Sequence, residues 1–383
     1  MRPSISPLLK HIQISGIRQI ADRIKQEPDV VALTIGEPDF QTPEVIKEAG
    51  RIAITNNQTF YAPNPGILEL RQAAVSFLEN RYGLSYRPND EVIVTNGSTE
   101  ALYLALRTVL EPGDEVLIPV PTYPGYAPVI TLCGAKLVPV DTTETGFKLT
   151  KEQLRAHLTP KTKVVLLPYP SNPTGAILTR EELTELVEVL EHENVFVLSD
   201  ELYSELVFDQ PHVSIASFPS MRDKTIVING VSKSHAMTGW RIGFSFAPSY
   251  LTQEMLKVHQ YVNTSVNTMA QTAATHALRQ GQSDVARMQH EYQRRRDYLH
   301  SRLTSIGFSA ALPEATFYLF PEITAFRKDS YDFSMELIEK ARVGFLPSTV
   351  FTKGGNHHFR LSFAYSLEKI EEAMNRVERY VQK

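Results

Sequence analysis

The stretch Ser232-Lys233-Ser234 sets one lysine between two hydroxyls, and Thr238-Gly239-Trp240-Arg241 follows it. A lysine can act as a nucleophilic amine once desolvation or nearby cations pull its ordinary pKa of ~10.4 down. Gly239 is expected to turn the backbone tightly enough to bring Arg241 back to the same place. A solvated surface cation is the plain alternative for Lys233. Other stretches carry groups of matching use. SDELY (199–203) ends an apolar run on Asp200, which serves equally well as a ligand-facing carboxylate or a helix N-cap. YPSNPTG (169–175) is turn chemistry, yet the same turn projects Asn172. In TNGSTEAL (95–102), Gly97 allows a tight turn, and Ser98 and Thr99 open a helix. Free N–H groups and hydroxyls there suit an anion, phosphate above all, and they suit simple capping too. Tyr123, in PVPTYPGY (119–126), can stack on a flat ligand or pack into a core.

These groups follow short apolar runs: EVIVT (91–95), EVLIPV (115–120), KLVPVD (136–141), KVVLLPYP (163–170), VFVLSDE (195–201), TIVING (225–230) and IGFSFAP (242–248). Near-continuous apolar character suits strands covered on both faces of a largely parallel sheet. Helical patterns such as STEALYLALRTVL (98–110) and TREELTELVEVLEHE (179–193) lie between them. The expectation is an α/β fold with a mostly parallel seven-stranded sheet flanked by helices. From about residue 284 the texture changes to DVARMQHEYQRRRDYLHSRLTSIG, strand-like TFYLFPEI, helix-like SMELIEKAR, the segment HHFRLSFAY and a terminal helix. The division read from this is a large unit over 41–283 and a smaller α+β unit made of 1–40 and 284–383.

With 383 residues and 42% hydrophobic side chains, the chain can bury a sizeable core; ~150 residues per domain suggests two or three domains, or one large domain with a satellite. A net charge of -4 gives no electrostatic reason to expect nucleic acid or an anionic membrane as partner. The one dense basic run, Arg294-Arg295-Arg296, is flanked by Glu291 and Asp297 and reads as a solvated helix face. The single cysteine, Cys133, sits in apolar ITLCGAKL and reads as a small buried hydrophobe. No run has the length of a membrane span, and MRPSISPLLKHIQISGIRQ lacks the pattern of a signal peptide, so a cytoplasmic protein is expected. Neither G-x-G-x-x-G nor G-x-x-x-x-G-K-[ST] occurs at the strand ends, which lowers the case for NAD or ATP chemistry.

An anion cradle, an aromatic plate, an amide, a carboxylate, a lysine and an arginine at strand ends together suit a flat phosphorylated heteroaromatic aldehyde. Pyridoxal 5'-phosphate needs a lysine for a Schiff base, an acid facing the pyridine nitrogen and a phosphate site. Here the chain resembles the class I/II aminotransferases, pyridoxal-phosphate enzymes of fold type I. The segments LTIGEPDF (33–40), YAPNPGILELR (61–71), NGSTEAL (96–102), PTYPGY (121–126), YPSNPTG, SDELY, SKSHAMTGWRIG (232–243) and FRLSFA (359–364) appear in the family's order. Within that family, ISGIR, PYPSNPTG and SKSHAMTGWRIGF are similar to the bacterial branch that acts on N-acetyl-L,L-diaminopimelate.

The resemblance implies roles. Lys233 holds the cofactor and shuttles a proton, Arg241 with Ser98, Thr99 and Ser232 binds its phosphate, and Asp200 faces the pyridine nitrogen. Asn172 and Tyr203 bond the ring 3'-oxygen, and Tyr123 stacks on the ring. Arg360 clamps the substrate α-carboxylate as a bidentate fork, with Gly36 and Asn172 beside it. Tyr61 reaches the phosphate of a neighbouring subunit, which implies a homodimer, and no metal is implied. Where the family often has Pro-x-Gly-Ala-Phe-Tyr, this chain has PEATFY (313–318); Ala315 and Thr316 are expected to add bulk where the substrate side chain passes.

An aminotransferase moving an amino group between glutamate and a 2-oxo acid is the leading reading, with N-acetyl-L,L-diaminopimelate in lysine biosynthesis as a candidate. Aspartate or aromatic substrates, or a β-lyase acting on cysteine conjugates, are the alternatives. A pyridoxal-phosphate sensor fits least, since no DNA-binding segment precedes LTIGEPDF. Arg18, in ISGIRQI, is a candidate for a distal substrate carboxylate, with a solvated arginine as the other reading. His235 could line the pocket, and a structural histidine is the other reading.

Overall fold

Seven strands of one sheet coincide with the seven apolar runs. In the computed structural model, which describes residues 3–326, 329–354 and 357–382, they are β1 (Val92–Asn96), β2 (Glu115–Val120), β3 (Lys136–Asp141), β4 (Thr162–Leu167), β5 (Phe196–Asp200), β6 (Thr225–Gly230) and β7 (Ile242–Phe246). Their spatial order is β1-β7-β6-β5-β4-β2-β3. All neighbours pair in parallel except β7, which runs against both β1 and β6. Every residue of β2, β6 and β7 is buried, as expected for strands covered on both faces. In the edge strand β3 only Val140 is buried, the other positions being exposed or half-buried. Cys133 is buried and free.

The reversed strand matters for the site. Because β7 is antiparallel, its first residue, Ile242, lies beside Asn96 at the carboxyl end of β1. Arg241, just before β7, therefore emerges at the edge where the parallel strands end.

Helices close the layers with ordinary devices. The helix α1 (Ser98–Val109) starts at Gly97, whose φ of 78° favours glycine. The helix α2 (Arg180–Leu190) is opened by a capping box in which Thr179 and Glu182 bond reciprocally, an arrangement worth about 1 kcal/mol.

A second core joins the two ends of the chain. Residues 31–32 pair in parallel with 343–344, and Val31 and Leu33 pack with Leu299, Tyr318, Phe359 and Val377. A small antiparallel sheet orders 346–347, 359–362 and 318–319, which puts Arg360 on its middle strand. In TFYLFPEI only Tyr318–Leu319 is strand, and SMELIEKAR ends its helix in a π turn over Leu337–Ala341. Ile20 and Ile24, on the amphipathic helix Gly16–Lys25, pack against Phe320, Ile338 and Leu346. Among the described residues no helix is long and apolar enough to cross a membrane.

The basic run is not a solvated face. Arg294 is exposed and pairs with Glu291, but Arg295 and Arg296 are 6% and 3% exposed. Arg295 bonds Asp39 at 2.8 Å and lies over the Phe40 ring. Arg296 bonds Asp209 at 2.7 Å and lies over Phe208. Carboxylates distant in sequence and ring faces, absent from the local pattern, draw both guanidiniums inward.

Candidate active site

The carboxyl ends of β1, β2, β4, β5 and β6 open into one cavity of about 270 Å3, the place where open α/β sheets bind ligands. Ser98, Thr99, Tyr123, Asn172, Asp200, Tyr203, Ser232, Lys233, Arg241, Gly36 and Arg360 all line it. Ser98, Thr99, Tyr123, Asn172, Asp200, Ser232 and Lys233 converge because each ends or follows a strand that stops at this edge, and Arg241 because it precedes the reversed one. Gly36 and Arg360 come from the second core.

At its centre, the Lys233 Nζ donates to the Gly36 carbonyl at 2.6 Å. Burial draws the lysine down to about 8; Glu37 opposes this, while Arg241 and Arg360 reinforce it. Asp200 accepts from the Tyr126 hydroxyl at 2.8 Å and from the Leu202 N–H at 3.2 Å. Burial pushes its carboxyl above the usual carboxylate range even so. A cation placed against Asp200 would offset that burial and favour the ionised form.

One end of the cavity is built by close backbone approach. Arg241 itself takes the left-handed conformation, φ 56°, and donates to the carbonyls of Thr238 at 3.1 Å and Asn96 at 3.4 Å. A Cβ on Gly97 would lie 2.2 Å from the Arg241 Nη2, and one on Gly243 would lie 2.5 Å from the Ser98 N. Two glycines therefore let β7 and the α1 N-terminus touch, with Arg241 across the first helical N–H groups.

The other end holds Arg360, 1% exposed. Its Nη1 donates to Asn172 Oδ1 and its Nη2 to the Thr34 carbonyl, each at 2.8 Å, while its buried Nε has no partner. The guanidinium lies 4.2 Å from the centre of the Tyr318 ring, whose hydroxyl is 2.9 Å from that of Tyr203. Three cations, Lys233, Arg241 and Arg360, face the cavity against one lining carboxylate, Asp200. Among the described residues neither arginine forms an ion pair with a carboxylate.

This chain matches the family model described as aminotransferase class I and II over residues 28–377. The chain belongs to that family. It is 49% identical, over 100% of its length and 97% of the relative's, to a probable N-acetyl-LL-diaminopimelate aminotransferase of Bacillus subtilis. It is 39% identical, with 98% of each chain covered, to an aspartate aminotransferase of Pyrococcus abyssi. The solved N-succinyldiaminopimelate aminotransferase of Mycobacterium tuberculosis superposes with a TM-score of 0.94 at 32% identity, covering 98% of this chain and 100% of that one. As a class I and II aminotransferase, the enzyme works on amino and 2-oxo acids with pyridoxal 5'-phosphate. The cavity fits that cofactor: a cradle for an anion, a lysine poised to lose its proton, and a carboxylate awaiting a cation.

Gly239 lies in a tight 3-10 turn over Thr238–Trp240, and the left-handed residues of this stretch are Ala236 and Arg241, at φ 51° and 56°. Ala315 and Thr316 are fully buried outside the cavity wall, where the Thr316 N–H bonds the Leu206 carbonyl at 2.7 Å. The Thr316 hydroxyl accepts from the Tyr318 N–H at 3.2 Å, and Ala315 packs with Ile177 and Val207. Arg18 is exposed and does not line it, although Ile17 does, and its charge is felt at Tyr123. Tyr61 is 85% exposed and does not line the cavity of its own chain. His235 is wholly buried, with Nδ1 at 2.8 Å from the Ser234 hydroxyl, and burial lowers it to about 4, so it is structural. Tyr126 and Tyr318 escaped the sequence reading. Tyr126 follows Tyr123 in the same PTYPGY segment, and Tyr318 ends PEATFY, but nothing local distinguishes either from a core tyrosine.

Proposed function

We propose that this aminotransferase takes the amino group of glutamate and gives it to a 2-oxo acid carrying a second carboxylate, with the N-acetyl-L,L-diaminopimelate pair as the leading candidate. The observation that supports aminotransfer is the pair of guanidiniums, Arg241 and Arg360, facing one cavity without carboxylate partners among the described residues. One anion at each end, a phosphate and an α-carboxylate, would balance them. The whole-length likeness to the Bacillus relative supports the acceptor.

Bound pyridoxal 5'-phosphate supplies the carbonyl carbon that takes up the amino group and the ring that accepts the electron pair left at the substrate Cα. Ser98, Thr99, Ser232 and Arg241 hold the phosphate. Asp200, steadied by Tyr126, holds the proton on the pyridine nitrogen. Asn172 and Tyr203 bond the ring 3'-oxygen, and Tyr123 covers one ring face. Lys233 anchors the cofactor between turnovers; with its pKa near 8, its Nζ can take a proton from the substrate Cα and give it back at the cofactor carbon. Arg360 clamps the α-carboxylate with Gly36 and Asn172, so the Cα–H bond is held in place for Lys233. Arg18 meets the distal carboxylate when the N-terminal segment closes. Residues 41–283 form the cofactor-binding unit, and 1–40 with 284–383 the unit that closes over the substrate. Tyr61 completes the phosphate site of a second copy in a cytoplasmic homodimer.

A half-reaction screen tests this. The holoenzyme is mixed with single amino acids, and the visible band of the lysine-bound cofactor is followed as it converts to the aminated form. Glutamate is expected to convert it, and acceptor 2-oxo acids to restore it. Conversion by phenylalanine or aspartate but not by glutamate would replace the donor assignment. Pyruvate released from cystathionine without any 2-oxo acid would mark a β-lyase.

A further inference from the structure

A buried ion pair lies directly behind the phosphate end, outside the cavity wall. The Glu100 Oε1 is 3.0 Å from the His259 Nδ1, and the two side chains are 9% and 0% exposed. The His259 Nε2 lies 2.9 Å from the Asn64 carbonyl oxygen. Each ring nitrogen thus faces an oxygen, one of a carboxylate and one of a backbone carbonyl, so the ring is held between the two. The second carboxylate oxygen, Oε2, accepts from the Asn96 N–H and from the Asn263 Nδ2 at 3.3 Å. Burial alone would raise the Glu100 carboxyl, but the His259 and Asn96 hydrogen bonds outweigh it and leave it below the usual range.

This pair is expensive for what it adds to stability. Desolvating two charges roughly cancels their attraction, so a buried pair is a poor stabiliser in comparison with apolar packing. What it does provide is direction. Asn96 receives Glu100 on its N–H and Arg241 on its carbonyl, and it precedes Gly97 and Ser98. On its other side the pair fixes the Asn64 backbone, in the loop that follows Tyr61. One network thus holds the turn that presents Ser98 and Thr99, and orients the peptide on which Arg241 rests.

We infer that Glu100 and His259 are positioning residues for the cofactor phosphate, acting through the Asn96–Ser98 turn without touching the ligand. This rests on the reading above that the phosphate lies between Arg241 and the α1 N-terminus. The test titrates the apoprotein with pyridoxal 5'-phosphate and, separately, with pyridoxal, which lacks the phosphate. In Glu100→Ala the Asn96 N–H, the Asn263 amide and the His259 ring all lose their acceptor, so the turn loses its anchor. Affinity for pyridoxal 5'-phosphate is expected to fall about ten- to a hundred-fold, the scale of a buried hydrogen bond to a charge, while pyridoxal stays within about two-fold. Parallel losses for both ligands, or no loss for pyridoxal 5'-phosphate, would overturn the inference. Melting curves check that the apoprotein is folded. Should Glu100→Ala not fold, Asn263→Ala removes only the 3.3 Å bond, and the same split, about three-fold for one weak hydrogen bond, decides in the same way. A wild-type protein that binds both ligands equally would overturn the phosphate assignment itself.

Discussion

Replacing Arg360 by lysine keeps the charge and destroys the fork, so it isolates the geometry of carboxylate binding. The arginine is held rigidly: two N–H groups are spent on Asn172 and Thr34 at 2.8 Å, and Nε and the remaining N–H groups are free for a ligand. A bidentate clamp contributes two charge-assisted bonds of about 1.5–3 kcal/mol each. A lysine can restore one of them, but it leaves the Asn172 Oδ1 or the Thr34 carbonyl without its donor. The net loss of about 3 kcal/mol corresponds to about 100-fold in kcat/KM. The assay is the single-turnover half-reaction with glutamate, paired with a simple alkylamine that has no carboxylate. The alkylamine is expected to react equally with both proteins, which separates a lost clamp from a damaged cofactor site. A loss with glutamate below about three-fold, or an equal loss with the alkylamine, would refute the fork.

Three further outcomes are expected. Asp200→Asn should retain the cofactor yet slow the half-reaction by about 100- to 1,000-fold, since a neutral amide cannot hold the pyridine proton; an unchanged rate would place the carboxylate elsewhere. The rate at which apoprotein captures pyridoxal should rise with pH and level off above about 8, because the buried Lys233 amine is neutral from there upward; a rate still climbing near ~10 would be that of a solvated lysine. Arg18→Ala should raise KM for glutamate by about ten-fold while leaving alanine unaffected, the scale of one exposed charge pair strengthened by closure; equal effects on both substrates would remove Arg18 from the site.

What was legible in the sequence follows from the sheet. Strands covered on both faces must be apolar throughout, so EVLIPV and TIVING give two strands residue for residue, and the edge run KLVPVD matches its strand as well. The chemistry then sits where those strands stop, and Ser98, Asn172, Asp200 and Lys233 could be placed from sequence position alone. Arg360 needed the family resemblance, because an isolated arginine in FRLSFA reads as a strand-edge residue, whereas it lies on the middle strand of its sheet. Tyr126 and Tyr318 were invisible because their importance lies in distant partners: Asp200 for one, Tyr203 and Arg360 for the other. The same holds for Arg295 and Arg296, whose burial depends on Asp39 and Asp209. The left-handed conformation of Arg241 could not be read from sequence either, because tertiary packing imposes it and sets the guanidinium against Gly97.

The central claim is that Lys233 is the amine that holds the cofactor. Borohydride reduction of the holoenzyme fixes the link permanently, and mass spectrometry of its peptides then finds the attached residue. The expected result is a single pyridoxyl group on Lys233, absent from Lys233→Ala prepared in the same way. A pyridoxyl group on any other lysine of the wild-type protein, with Lys233 unmodified, would contradict it.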